Sequence, residues 1–405
     1  MTAILLLGFA SGLPFNLTGS TLQAWLAASG LDIKTIGIFG LVGVPYFFKF
    51  LWAPLLDRYL PPILGRRRGW IVICQVLLAV FIFLMGQTSP NRMPHVVGFI
   101  ALCVAFFSAS QDIVIDAYRV DVVPPQERAL ASAATAFGYK TAAMLAGAVT
   151  LVLAEHLGWS WAYGLVALLM AGTLFATLWS PEPVVPARAP RTLAEAVVDP
   201  LIDLLRHKGA WGFLLLILTY KFGDAFALSL YSAFMIKGMG FSLDELGIFG
   251  KTNMTISTMT GTLIGGWAYL RWGLFRSMLT FGIAQAVTNL LYMALALSGK
   301  ILWLMALATS VDNLAGGMGA AAFTAFVMAQ CSVNFSATQY ALLSALASIP
   351  RIIIPPVAGL VVASIGWAHF FVVTFLSAIP GLALLVLLRH RIKELEARDP
   401  VRIKA

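Results

Sequence analysis

Residues 70–88 read WIVICQVLLAVFIFLMGQT, a run with no charged side chain and only Gln75 polar before its last three residues. At about 1.5 Å of rise per residue, a helix of this length covers nearly all of the roughly 30 Å hydrocarbon core of a bilayer. A surface helix of a soluble domain would show a polar face instead. Immediately before the run stand Gly65, Arg66, Arg67 and Arg68, the kind of basic flank that marks the cytoplasmic end of a membrane span. Residues 70–88 therefore read as a transmembrane helix.

The same ruler, moved outward, finds eleven more runs. The twelve cover 3–28, 34–58, 70–88, 95–120, 129–156, 159–180, 210–236, 244–270, 274–298, 301–331, 337–364 and 367–390. Runs of this length exclude a β-barrel, whose strands alternate over about ten residues. The first run lacks a basic leader region and is long enough to span, so it is expected to stay in the protein. Only Met1 and Thr2 precede it, and a natural start upstream is left open. Of the 405 residues, 60% are hydrophobic and 11% charged, against about 25% charged in ordinary soluble domains. That is too few charges for a soluble enzyme, a nucleic-acid binder or a disordered scaffold. Cys74, Cys103 and Cys331 lie apart in apolar runs, which is neither a disulfide framework nor a metal-binding pattern.

The net charge of +9 is topological. Eighteen of the 27 lysines and arginines fall on the side of Arg66–Arg68, four (Lys34, Arg92, Lys237, Lys300) on the other, and five inside the spans. The positive-inside rule then predicts both termini in the cytoplasm. The longest polar stretch, 181–209 with Pro181, Pro183, Pro186 and Pro190, divides the spans six and six. Ile36-Gly37-Ile38-Phe39-Gly40 opens the second span and Leu246-Gly247-Ile248-Phe249-Gly250 the eighth. The expected organisation is an all-α polytopic membrane protein of two pseudo-symmetric halves. They comprise a six-helix half at 1–180, a cytoplasmic linker at 181–209, a second half at 210–391 and a basic tail at 392–405. Two such halves are a transporter layout, with the substrate site expected between them near mid-membrane.

Charged groups at bilayer depth cost about 2.5–3.5 kcal/mol on insertion scales and are there for a reason. The fourth span carries Gln111, Asp112, Asp116 and Arg119; the seventh carries Lys221 and Asp224 three residues apart. Lys49, Lys140, Lys251, Asp312 and Arg351 stand singly in other spans. Asp112, near mid-depth and away from the arginine-rich surface, reads as a proton carrier, and Asp224 as a second carboxyl for proton coupling. The competing reading of Asp112 is a permanent salt bridge to Lys49 or Lys140, and that of Lys221 and Asp224 a mutual helix-locking pair. Embedded cations suit the carboxylates of an anionic substrate. The expected binding set is Gln23, Trp25, Tyr46, Lys49, Gln111, Tyr139, Lys140, Tyr220, Lys221, Lys251, Asn253, Asp312 and Asn313. The aromatic members offer faces for sugar rings, with ordinary packing as the alternative. Asp57, Arg58, Arg66, Arg67, Arg68, Asp116 and Arg119 are expected to form a cytoplasmic gate. Gly8, Gly12 and Gly19 share a face suited to close helix packing. No metal site is expected.

Several stretches resemble the major facilitator superfamily, and within it the AmpG-type muropeptide permeases. Asp57-Arg58 followed by Gly65-Arg66-Arg67-Arg68 is similar to the superfamily's signature loop. The narrower resemblance lies in Leu7–Pro14 with Thr21–Trp25, Phe48–Leu55, Ser108–Ala117, Tyr220–Phe226 and Phe335–Ser344, and it runs across essentially the whole chain. It implies the major facilitator fold and a bacterial inner-membrane importer. Such permeases bring N-acetylglucosaminyl-1,6-anhydro-N-acetylmuramic acid and its peptides from periplasm to cytoplasm. Their products serve peptidoglycan recycling and, in many Gram-negative bacteria, β-lactamase induction. The proton is then the coupling ion with no other cofactor, and a monomer is the superfamily default. Longer members carry two further C-terminal spans, which the twelve-span core is expected not to need for transport. Two other readings compete: the same fold carrying another anion such as acetyl-CoA, and a membrane-embedded transferase. The second fits poorly, because His95, His156, His207, His369 and His390 are scattered without a catalytic grouping.

Overall fold

The computed structural model describes residues 1–59, 61–62, 64–123, 127–182, 199–206, 209–331 and 336–397. Among these residues every regular element is helical. Ten helices are long and apolar enough to cross a membrane. One of them, Leu342–Leu387, contains Gly366 at φ 76°, ψ 173°, a geometry that ends one helix and begins the next. Asn253–Trp272 adds a 20-residue helix of spanning length whose Asn, Thr, Lys and Arg content dilutes its hydropathy. The helices thus fall in the twelve places the sequence predicts.

Several predicted spans are not continuous helices. The first is divided into α1 (Thr2–Thr18) and α2 (Ser20–Ala28) at Gly19. The second is α3 (Ile33–Ile38), a 3₁₀ turn at Phe39–Gly43, α4 (Val44–Phe48), another at Lys49–Leu51, and α5 (Ala53–Arg58). Gly40, Gly43, Pro45 and Pro54 explain this: glycine costs helix stability, and proline removes a backbone donor. After α6 (Arg66–Gly86) and α7 (Pro94–Val122), the fifth span joins α8 (Arg128–Met144) to α9 (Thr150–Leu157) through a π turn at Leu145–Val149. α10 (Trp159–Trp179) completes the sixth. Short α11 (Asp199–Arg206) precedes the seventh span, which breaks twice. α12 (Ala210–Tyr220) gives way at Lys221 to α13 (Phe222–Ser229), and Leu230 separates that from α14 (Tyr231–Ala233) and a π turn.

The repeat is visible in the caps. Asp32 accepts the Thr35 amide at the start of the second span, while Ser242 and Glu245 form a capping box at α15 (Leu243–Glu245), the start of the eighth. Asp32 and Ser242 occupy equivalent positions of the two repeats, as do Thr35 and Glu245. Beyond the caps the halves diverge. The first winds on as a 3₁₀ turn, and the second as a π turn over Leu246–Thr252 before α16 (Asn253–Trp272). α17 (Leu274–Ser298), α18 (Leu302–Ala329), the kinked α19 (Ser336–Leu387) and α20 (Arg389–Ala397) follow.

The chain forms two compact units. The first comprises Met1–Ala189 with Ser232–Thr252; the second comprises Pro190–Tyr231 with Asn253–Ala405. In the first, α1 lies against α8 with backbones in direct apposition. A methyl group on Gly8 would sit 2.5 Å from the Thr135 carbonyl oxygen, and one on Gly12 would overlap that of Tyr139. Small residues allow this approach where water supplies no hydrophobic drive. A methyl group on Gly19, expected to share that role, would meet the carbonyl of Phe15 in the preceding turn of α1. In the second unit α16 and α18 pack the same way: a methyl group on Gly265 would come within 2.5 Å of Met318 Cα. Leu7, Ile71, Val114, Ile115 and Tyr118 form a core cluster in the first unit. Phe213, Tyr220, Met278, Phe281, Phe323 and Phe326 belong to one in the second. Phe99, Phe175, Trp179, Leu263 and Leu297 point outward, as lipid-facing side chains do.

Candidate functional site

In the first unit, Asp112 lies on α7 with Ser11 of α1 donating to its Oδ1 at 2.5 Å. It forms no ion pair among the described residues, so the permanent bridge to Lys49 or Lys140 is not seen. The hydroxyls of Ser108, one turn back on α7, and of Tyr46 on α4, with both amide atoms of the adjacent Gln111, are buried without a hydrogen-bond partner among the described residues. Buried polar atoms are normally bonded, and unsatisfied ones call for an unseen partner such as water or a ligand. The Tyr46 ring meets Phe15 edge-on at 5.4 Å, and the Tyr139 ring lies tilted 6.4 Å from Phe15. Lys49 is half-buried and Lys140 exposed.

Three members of the predicted binding set in this unit are otherwise engaged. Trp25 is buried and stacks on Trp159 at 5.3 Å with Tyr163 alongside, so its ring is consumed in packing and offers no free face. Gln23 Oε1 accepts the backbone amides of Ser232 at 2.9 Å and Ala233 at 3.3 Å. These are first-turn amides of α14, which have no partner in their own helix. Lys251 is likewise turned inward, with Nζ donating to Ser232 Oγ at 3.0 Å. The segment Ser232–Thr252 is held further by Lys237 Nζ to the carbonyls of Gly30 (3.2 Å) and Leu31, by the Leu243 amide to Glu155 (3.1 Å), and by His156 to Asp244 (2.9 Å).

The second unit holds its polar groups together. Lys221 Nζ lies 3.5 Å from both Asp224 Oδ2 and Gln285 Oε1. Asp312 is buried and accepts from Thr288 Oγ1 at 2.7 Å and the Tyr292 hydroxyl at 3.3 Å. Asn313 is buried too, bonding the Thr309 carbonyl at 2.9 Å, with Thr258 at 3.4 Å from its Oδ1. Asp312 and Asn313 are therefore interior network groups, where the sequence suggested direct contact with substrate. Tyr220 gives up the sugar-stacking reading: it is buried, stacked on Phe323 at 5.5 Å and bonded to the Met278 carbonyl at 2.7 Å. Asn253 opens α16 and is half-buried. The threonine stripe of α16 bonds its own helix, Thr258 to Met254 and Thr262 to Thr258, which is the ordinary fate of such hydroxyls.

The arginine run makes a tight clamp in the first unit. Arg67 Nε donates to Asp121 at 2.8 Å, both side chains being buried. Glu182 accepts the amides of Arg67 (2.9 Å) and Arg68 (3.0 Å), putting a carboxylate on the N-terminus of α6. Arg68 reaches the terminal carbonyls of α10 at Thr177 and Leu178. Asp116 and Arg119 pair at 3.3 Å nearer the surface. Arg66 is half-buried, and the side chains of Asp57 and Arg58 lie outside the described residues. Sequence reading passed over Asp121 and Glu182; the available signal was a carboxylate at each of two span ends beside a loop of three arginines. Ser11, Thr288 and Tyr292 were missed as well, having no sequence mark that ties them to their carboxylates.

The Major Facilitator Superfamily model matches residues 4–353. The anhydromuropeptide permease of Escherichia coli is 46% identical over 397 residues, covering 98% of this chain and 81% of that protein. A putative AmpG 4 transporter of Rickettsia felis is 31% identical, covering 96% of each. Solved structures share the fold at low identity. They include a bacterial homolog of the human lysosomal transporter Spinster (TM-score 0.74, 15% identity, 98% of each chain). A peptide transporter POT in complex with sulfate gives TM-score 0.74 at 13% identity, covering 98% of this chain and 95% of that one. The chain belongs to the Major Facilitator Superfamily and, within it, to the AmpG-type permeases.

Proposed function

We propose that this protein imports N-acetylglucosaminyl-1,6-anhydro-N-acetylmuramic acid and its peptides across the bacterial inner membrane, driven by the proton gradient. The observation that carries the reading is the 46% identity, over nearly the whole chain, to a protein named anhydromuropeptide permease. Both termini lie in the cytoplasm, a reading that the basic residues of the loops support, and the transporter acts as a monomer. The disaccharide asks for aromatic faces and amide or hydroxyl partners; the peptide carboxylates ask for cations. Tyr46, Tyr139 and Gln111 supply the first, and Lys49 and Lys140 the second. The clamp of Arg67, Asp121 and Glu182, with Asp116 and Arg119 nearby, serves as the cytoplasmic gate.

The energetics are sufficient. One proton falling through 100 mV and one pH unit releases about 3.7 kcal/mol. That sustains roughly 500-fold accumulation of a neutral solute carried with one proton. Anionic peptides lose part of this against the membrane potential.

Ligand-dependent stability tests the substrate. A ligand at 100 times its Kd stabilises the folded protein by about 2.7 kcal/mol. The anhydro-disaccharide and its tripeptide should therefore raise the melting temperature of the purified protein, and coenzyme A esters should not. Protection by acetyl-CoA alone would favour the competing substrate.

A further inference from the structure

The second unit encloses a polar network built on one face of α17. Gln285, Thr288, Asn289 and Tyr292 fall at helical spacing, and across from them α18 presents Thr309, Asp312 and Asn313. Its charges do not balance. Lys221 is a cation, Asp224 is its partner at 3.5 Å, and Asp312 is a second carboxyl with no ion pair among the described residues. One added proton makes the set neutral.

The geometry around Asp312 suits a carboxyl that changes state in place. Thr288 Oγ1 lies 2.7 Å from Asp312 Oδ1 and 2.8 Å from the carbonyl oxygen of Gln285. Its single hydroxyl hydrogen can serve only one of them at a time. With Asp312 charged, Thr288 donates to Oδ1 and the Tyr292 hydroxyl, 3.3 Å away, to Oδ2. With Oδ1 protonated, the new hydrogen points to Thr288 Oγ1, and the Thr288 hydrogen turns to the Gln285 carbonyl. Both forms are satisfied by rotating one hydroxyl. Among the described residues Asp112 has Ser11 as its one hydroxyl partner, and Asp224 is tied to Lys221.

We propose that Asp312 is the carboxyl that takes up and releases the coupling proton, with Thr288 as the positioning residue that satisfies both forms. The inference rests on the proton-driven import proposed above and names the group that performs it. Its place in the chain matters: Tyr292 meets Tyr231 edge-on at 6.0 Å, and Tyr231 is bonded to Thr309 at 2.9 Å. Tyr231 is the last residue of the second unit before the chain passes into the first at Ser232. A change at Asp312 is thereby felt where span seven breaks.

The test compares wild type with Asp312→Asn, Thr288→Val and Thr288→Ser in proteoliposomes containing labelled anhydro-disaccharide. Asp312→Asn should retain exchange of internal for external substrate within about twofold, while its accumulation ratio falls to about one because no proton is coupled. Thr288→Val should displace the pH profile of accumulation, and Thr288→Ser should restore it. Accumulation by Asp312→Asn equal to wild type would overturn the proposal, as would wild-type accumulation driven by a sodium gradient at equal pH. Loss of exchange as well, from protein that still melts cooperatively, would make Asp312 a substrate-binding group and also overturn it. Infrared titration separates this from the substrate reading. A protonated-carboxyl band absent in Asp312→Asn and present in Asp112→Asn supports the assignment even if wild type transports no muropeptide. The same band surviving in Asp312→Asn contradicts it.

Discussion

Gln23→Leu removes an acceptor and keeps the bulk, so it isolates what the Gln23 carboxamide does for the break in span seven. The Ser232 and Ala233 amides both end on Gln23 Oε1. They belong to the first turn of α14 and have no helical acceptor of their own, and bilayer depth offers no water to replace one. Each buried donor left unmet costs about 1–3 kcal/mol. The 3.3 Å bond is the weaker of the pair, so the loss is about 2–4 kcal/mol. Even the lower figure opens the local structure roughly 30-fold more often. Hydrogen exchange read by mass spectrometry on peptides covering 230–240 measures that opening directly. The variant should lose about 30-fold or more of its protection there, while peptides from α6 and α10 stay as in wild type. Gln23→Glu keeps an acceptor oxygen and should keep most of the protection. Equal protection in Gln23→Leu and wild type would refute the reasoning.

Other substitutions read other parts of the account. Gly8→Ala and Gly12→Ala force backbone apart between α1 and α8 and should destabilise by about 1–3 kcal/mol, as overpacking does. Gly172→Ala, with open space around it, should be neutral or slightly stabilising in a thermal melt. Arg67→Met should cost about 3–5 kcal/mol by leaving Asp121 buried without its cation, and Asp121→Asn should cost less, because its amide oxygen still accepts from Arg67 Nε. A double-mutant cycle should show the two losses to be far from additive. At Asp32 the Thr35 hydroxyl, and then the Thr35 amide, hold the carboxyl below its usual value. A depressed carboxyl stabilises above its unfolded value, near pH 4, and the contribution disappears as pH falls through the lowered one. Asp32→Ala should therefore weaken protection at the start of the second span at pH 7, and wild type and variant should converge in strong acid.

The spans were legible because a run such as 70–88 can be nothing but a membrane helix, and the basic residues beside it orient the rest. The repeat was legible in 36–40 and 246–250, and the caps at Asp32 and Ser242 carry it further than those five residues did. The breaks were not. Lys221 and Leu230 sit inside apolar sequence that continues on both sides, and only tertiary packing decides where such a helix yields. Aromatics were ambiguous for the same reason. Trp25 and Tyr220 have the composition of a sugar platform, yet Trp159 and Phe323 lie on their faces. Carboxylates could be singled out by their cost in a membrane, but the hydroxyls that satisfy them come from other helices, Ser11 at 101 residues from Asp112, and Thr288 and Tyr292 at 24 and 20 from Asp312. Gly19 shares the spacing of Gly8 and Gly12 without sharing their neighbour, because α1 ends before it.

Uptake of labelled N-acetylglucosaminyl-1,6-anhydro-N-acetylmuramic acid into proteoliposomes, with and without an inward proton gradient, tests the central claim most directly. Proton-driven import requires accumulation above equilibrium that needs the gradient and collapses with an uncoupler. Uptake that only equilibrates under the gradient would contradict proton drive, and no uptake by folded protein would contradict the substrate.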